Sequence, residues 1–221
     1  MRFFKLKEKP NWKYILGEIL LLFIGINLAI WFNNWNTSKK LNEDKKIAIN
    51  KITEEIKSNK KEIDNILNNY QSILDAYSKF KSVYDKNTSK VITTPSYLDS
   101  LNKKYPDFFR VKDSIAVNDS LFRYWGSTYI DLEIPNLSEI AWKTTMTLNI
   151  SNIFDYECLY EIENLYNLQR RVQKEIDKAA NALQKRELEA LMNILEFLNQ
   201  LGVILNEKYD SVLENSVSCK E

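Results

Sequence analysis

Three patterns of hydrophobic and polar positions follow one another along the chain. From Tyr14 to Phe32, YILGEILLLFIGINLAIWF, nearly every position is apolar and Glu18 is the one ionisable residue. A run of about 20 such residues, rising 1.5 Å each, matches a bilayer core of about 30 Å and predicts one transmembrane helix. The run exceeds the roughly 7–15 residues of a signal-peptide core and ends in bulky Trp31 and Phe32, so it is expected to remain uncleaved. Trp12 and Tyr14 at one end, and Trp31 and Trp35 at the other, supply interfacial aromatic belts.

The second pattern is a stripe. Ile49, Ile56, Ile63, Tyr70, Tyr77 and Tyr84 recur every seven residues, with Ile52, Ile66, Ile73 and Phe80 at the complementary positions. This 3-4 spacing predicts a coiled-coil-like helix from about 37 to 84, on the order of 70 Å long at 1.5 Å per residue. No glycine or proline separates it from the span, so the two read as one rod. Asn59 is the polar exception on the seam; it either sets register or oligomer state, or reflects an asparagine-rich composition.

The third pattern returns to a helical period. Ile162, Leu165, Val172, Ile176, Ala179 and Leu183 form one run, and Leu188, Leu191, Leu195, Leu198, Leu205 and Val212 a second. The register skips between Gln184 and Glu187 without Gly or Pro, which reads as a stutter, a kink or a turn. Leu191 to Leu205 is apolar on more than one face, so it is expected to be buried on more than one side. Between the long helices, Thr94-Pro95 predicts a capped helix to about Lys104 that Tyr105-Pro106 ends. Further short helices are expected within 113–129 and from Pro135 to Met146, with Gly126 at a turn or helix end.

The expected fold class is therefore all-α: a single N-terminal transmembrane helix followed by a long antiparallel helical hairpin with a small helical head. Its parts are a basic cytoplasmic tail (1–13), the span and its interface (14–36), an outward helix (37–86), a head of short helices (87–152), a return helix (153–214) and a C-terminal tail (215–221). An out-and-back hairpin puts Cys158 at the far end and Cys219 beside the membrane. That is beyond the roughly 7 Å between Cα atoms that a disulfide allows, so none is expected.

Composition narrows the chemistry. The chain has no histidine, which removes the commonest general base and metal ligand, and its four glycines are too scattered for a phosphate-cradling loop. Cys158 has no histidine to activate it. Acidic residues gather at Asp131 and Glu133 and at Asp155, Glu157, Glu161 and Glu163, without calcium-loop spacing. An enzyme, a metal and a cofactor are not expected. A net charge of +1 gives no global signal for nucleic acid. Locally, Arg2, Lys5, Lys7, Lys9 and Lys13 precede the span, which favours a cytoplasmic N-terminus and a periplasmic main domain.

Within the span, Glu18 suits the helix N-terminus and can reach the interface. Asn27 lies deeper, where its amide wants a partner; Gly25 and Ala29 form a small-xxx-small pair that permits close helix approach. Glu18, Gly25, Asn27 and Ala29 are the candidate membrane and association residues. The middle of the chain is rich in aromatics, and Trp125, Tyr129 and Trp142 are the candidates for a recognition surface there, against the alternative that they form the core.

The segment GEILLLFIGINLAIWFNNWN, with Tyr14, Gly17 and Glu18 at the start of the span and Asn33, Asn34, Trp35 and Asn36 after it, resembles an uncharacterised family of single-pass membrane proteins of Bacteroidota, a domain of unknown function. A second stretch, AWKTTMTLNIS from Ala141, is similar to a later feature of that family, which usually has a glycine where this chain has Thr147 or Leu148. The resemblance implies an inner-membrane anchor with an extracytoplasmic domain and implies no activity. Two functions fit these readings. One is a non-enzymatic, membrane-anchored scaffold acting through self-association or a partner envelope protein. The other is a sensory or ligand-binding helical ectodomain that signals through a partner.

Overall fold

The computed structural model describes residues 12–215 and Cys219. The basic tail before Trp12 lies outside the described residues, as does most of the C-terminal tail. Helix α1, Trp12–Val83, is a single unbroken helix of 72 residues, roughly 108 Å long at 1.5 Å per residue. Its first third exposes Leu21, Phe23, Ile26 and Phe32, with no other element packed on them. From Ala48 onward one face is buried, through Ile49, Ile52, Ile56, Asn59, Ile63, Ile66, Tyr70, Ile73 and Phe80. The heptad stripe is thus the buried stripe of α1. What covers it, however, is not a coiled-coil partner.

At the far end of α1 the chain forms a small antiparallel sheet, and this corrects the all-α expectation. Strands β1, Tyr84–Asp85, β2, Lys90–Thr93, β3, Phe109–Ala116, and β4, Phe122–Thr128, lie in the order β1-β2-β4-β3. The region expected to hold a helix over 113–129 is instead the β3–β4 hairpin, closed at Asn118–Leu121, where Asn118 Oδ1 accepts from the amides of Ser120 and Leu121. Antiparallel pairing from Phe109 opposite Thr128 to Ala116 opposite Phe122 holds both runs extended, a long-range preference that overrides the apolar content of either run. Gly126 is not a helix end: it sits in β4 beside a bulge at Val111–Asp113, where an added Cβ would lie 2.0 Å from the Arg110 carbonyl oxygen. Helix α2, Pro95–Lys104, occupies the residues expected of it, with Thr94 Oγ1 accepting from the Tyr97 amide at 3.2 Å.

The path back from the head decides the architecture. Residues 129–139 carry no helix, although Pro135-Asn136 was expected to start one. They run as a strap along α1, tied in succession to Asn69, Tyr70 and Asn59: Asn69 Nδ2 donates to Asp131 O (3.3 Å), Tyr70 Oη to Glu133 O (3.0 Å) and Asn59 Nδ2 to Ser138 O (2.8 Å). The strap brings the chain to the near end, close to the apolar part of α1. Helix α3, Ile140–Thr147, and a 3-10 turn, Ile150–Ile153, sit there against α1.

Helix α4, Tyr156–Gln184, then climbs back to the far end, capped by Asp155, whose carboxylate accepts from the Cys158 amide at 2.8 Å. A turn at Lys185–Glu187, with Arg186 at φ 61°, reverses the chain into α5, Leu188–Asn215, which descends antiparallel to α1. The skipped register is therefore a turn between two helices. The body is a bundle of α1, α4 and α5 rather than a two-helix hairpin. Helix α5 packs on both of the others, which is why Leu191, Leu195, Leu198 and Leu205 are all buried. Lys60 pairs with Asp210, and Asn199 and Asn206 donate to Gln71 and Asp64 across the α1–α5 seam.

One expectation is overturned outright. Cys158 and Cys219 form a disulfide, with Cα atoms 5.5 Å apart. A single return helix would have separated them by the length of the bundle. Because the strap descends first, α4 starts at the near end, where α5 also finishes.

Candidate functional site

The near end of the bundle holds the most elaborate side-chain arrangement. Glu55, on α1, faces the start of α3. Its Oε2 accepts from Ser138 Oγ (2.5 Å) and the Ala141 amide (2.9 Å), and its Oε1 from Tyr166 Oη (2.6 Å) and the Trp142 amide (3.4 Å). A carboxylate borrowed from another helix thus caps the N-terminus of α3, where free amides and the helix dipole favour negative charge.

One turn further on, Asn59 is buried. Its Oδ1 accepts from the Ser138 amide (2.9 Å) and its Nδ2 donates to Gln169 Oε1 (3.0 Å), which also accepts from Tyr209 Oη (2.8 Å). The polar exception on the seam therefore joins the strap, α4 and α5 to α1, a role that heptad position alone does not show. Burial, with Glu55 hydrogen-bonded to Tyr166, pushes the Tyr166 phenol far above its ordinary range; burial does the same to Tyr209. Both remain neutral donors. Trp142 completes the cluster, stacked on Tyr166 at 5.9 Å and donating from Nε1 to Glu163 at 2.9 Å.

These contacts hold α3 beside α1 and leave a groove of about 670 Å³ between them. Ile47, Ala48, Ile140, Ala141, Leu148 and Ile150 line it. Three of these apolar side chains face solvent: Ile47 is 59% exposed, Ile140 73% and Leu148 62%.

The residues singled out from the sequence do not gather in one place. Trp142 is a core residue, 2% exposed, at the near end, whereas Trp125 and Tyr129 belong to the far end. There Lys90 Nζ lies 4.7 Å from the Trp125 ring and the Arg110 guanidinium 4.6 Å from Tyr129, so both rings already carry a cation. The three form no common recognition surface. In the lower part of α1, Glu18, Gly25, Asn27 and Ala29 are all exposed. At 100° per residue Gly25 and Ala29 share a face, but Asn27 lies about 160° away from both, on the other side of the helix. Its Nδ2 donates to the Phe23 carbonyl at 2.7 Å, within its own helix. The four residues therefore cannot serve one interface together. Sequence reasoning missed Glu55, Ser138, Gln169 and Tyr209, whose roles depend on contacts between elements far apart in the chain. Among the described residues no three His, Cys, Asp or Glu side chains are grouped to hold a metal ion.

Two of the described helices, α1 and α5, are long and apolar enough to cross a membrane. They differ in setting: the apolar stretch of α1 has no buried residue, whereas that of α5 is partly buried in the bundle. No family model, curated protein or solved structure matches the chain.

Proposed function

We propose that this protein is a non-enzymatic, membrane-anchored scaffold of the cell envelope, acting through self-association or a partner envelope protein. The observation that carries the reading is the continuity of α1. One unbroken helix has an apolar stretch with no packing partner, of bilayer length, and further on becomes the central element of the bundle. A helix shared in this way transmits position and orientation from the membrane to the folded body without a hinge. The anchor leaves the N-terminus in the cytoplasm and the bundle outside it. The Cys158–Cys219 disulfide supports that orientation, since such bonds persist in oxidising compartments and are rare in the cytoplasm. The surface features that remain are apolar and unpartnered, which suits docking rather than turnover.

The test is purification of the full chain from native membranes in mild detergent, with mass spectrometry of what co-elutes. A stable homo-oligomer or a reproducible membrane-protein partner is expected; a monomer that brings nothing with it overturns the scaffold reading. Orientation is tested separately. A membrane-impermeant maleimide is expected to label intact spheroplasts only after an impermeant reductant has opened the disulfide. Labelling without reductant, and only after lysis, reverses the topology.

A further inference from the structure

We propose that the cleft where α1 meets the end of α2 binds an oxyanion, the carboxylate or phosphate group of a small ligand, between Lys79, Lys104 and the Tyr105 hydroxyl. The site lies at the far end of the bundle. It goes beyond the scaffold reading and does not depend on it.

Tyr105 carries the inference. It follows α2 directly and is 6% exposed, yet its Oη is buried without a hydrogen-bond partner. Buried polar groups nearly always have one, because burial strips away water and the loss must be made good. Among the described residues Asn102, Arg123, Asn199 and Asn206 also hold such an atom, but those residues are only half-buried.

The groups beside the phenol define what would satisfy it. Lys79 Nζ, from α1, lies 5.6 Å from the centre of the ring, and Lys104 Nζ, from the last turn of α2, lies 5.2 Å from it. An ammonium has three donors and no acceptor, so neither lysine can take the hydroxyl proton. Both side chains are exposed, where a cation–ring contact is weak, and among the described residues neither forms an ion pair. Two ammoniums and a phenol thus converge with donors alone. Their complement is a group with several acceptor oxygens and a negative charge.

The nearby acids leave this excess of positive charge in place. Asp75, one turn before Lys79, acts on Lys104 from beyond ion-pair distance, and its Oδ1 already accepts from Gln71 Nε2 at 2.9 Å. Asp107 is paired with Arg110 at 3.2 Å. Asp131 is tied at the level of Asn69, ten residues before Lys79 and about 15 Å away along α1.

Space for the rest of a ligand adjoins the donors. Lys104 and Tyr105 line a cleft of about 240 Å³ together with Ile73, Ala76 and Phe108. That volume suits a small ligand and excludes a large one. The lysines pivot on long stems, so they open the way to the hydroxyl and close on the anion, while the buried phenol fixes its position.

The experiment uses the full chain in an uncharged detergent near neutral pH and at constant ionic strength. Inorganic phosphate and butyrate are titrated by calorimetry, with sodium chloride as the control. Saturable binding is expected. Binding of phosphate alone assigns a phosphorylated ligand, and binding of butyrate assigns an organic acid; either supports the site. Neither binding above the chloride control overturns it. Lys79→Met combined with Lys104→Met changes only exposed side chains and is expected to weaken binding at least tenfold. Unchanged affinity in that variant means an adventitious ion only and overturns the site. Tyr105→Phe is also expected to weaken binding at least tenfold. Without anion its Tm should equal or exceed that of the wild type, because the deleted hydroxyl bonds to nothing in the protein. A lower Tm, with helical circular dichroism retained, shows that the hydroxyl has a partner within the fold and overturns the proposal.

Discussion

Replacing Glu55 by glutamine changes one atom and tests the clasp at the near end of the bundle. Each carboxylate oxygen accepts one backbone amide, Ala141 on Oε2 and Trp142 on Oε1, together with one hydroxyl, Ser138 or Tyr166. The hydroxyls can rotate to accept instead of donate; the amides cannot. Whichever way the glutamine amide is turned, its NH2 meets one N–H of α3. The cheaper orientation gives up the longer Trp142 contact of 3.4 Å and keeps the Ala141 contact of 2.9 Å. A buried amide left without an acceptor costs about 1–3 kcal/mol. Losing the negative charge at the α3 N-terminus adds about 0.3–1 kcal/mol. The expected loss is about 2 kcal/mol, or roughly 4–8 °C in Tm for a domain of this size. Thermal and denaturant unfolding of the full chain in detergent measure it, and hydrogen exchange should show faster exchange at the Ala141 and Trp142 amides. Glu55→Gln should also couple to Tyr166→Phe in a double-mutant cycle. A Glu55→Gln protein within about 0.5 kcal/mol of wild type, with unchanged exchange at α3, would refute the capping argument.

Three further outcomes follow from other parts of the fold. The Cys158–Cys219 bond closes a loop across a sequence separation of 61, for which chain-entropy arguments give about 4 kcal/mol; Cys158→Ser should lower unfolding stability by roughly 2–4 kcal/mol, and insensitivity of the wild type to reductant would contradict this. Gly126→Val places a side chain on the Arg110 carbonyl and should cost about 1–3 kcal/mol, with protection lost in the β3–β4 hairpin while the bundle amides stay protected; equal loss throughout would mean that head and bundle unfold as one. Burial holds Tyr70, Tyr166 and Tyr209 above their ordinary pKa of 10.0. The unfolded chain therefore releases protons before the folded one as pH rises through about 10. The stability these phenols contribute is intact below that pH and falls above it. Tyrosinate absorbance should show part of the tyrosine population ionising only as the protein unfolds, and a single unperturbed titration would argue against their burial.

Much of the secondary structure was legible because it is local. The 3-4 spacing of Ile49 to Phe80 marks the buried face of α1, and Thr94-Pro95 marks the start of α2. The skip between Gln184 and Glu187 marks a break, though not its kind; Arg186 in the left-handed region makes it a turn. The head is not legible in this way: Asp113 to Tyr129 carries enough apolar residues to suit a short helix, and pairing between strands, not periodicity within one, decides its structure. The clasp was hardly legible at all. Asn59 stands out on the seam but its partners do not, Glu55 looks like an ordinary polar position until the strap lies against it, and Gln169 and Tyr209 meet only where α4 and α5 pack together.

The apolar run from Tyr14 to Phe32 and the heptad stripe beyond it determine, by themselves, that this chain contains one long helix with an apolar first part. Hydropathy and helical period are properties of consecutive residues, and neighbouring residues suffice to express them. The direction of the strap was decided only in three dimensions. Residues 129–139 carry no period of their own; their course along α1 is set by Asn69, Tyr70 and Asn59, through bonds between residues 62 to 79 apart in the chain, which no local pattern can express. That one descent turns an expected hairpin into a three-helix bundle, joins Cys158 to Cys219, and stands α3 beside α1 to make the groove.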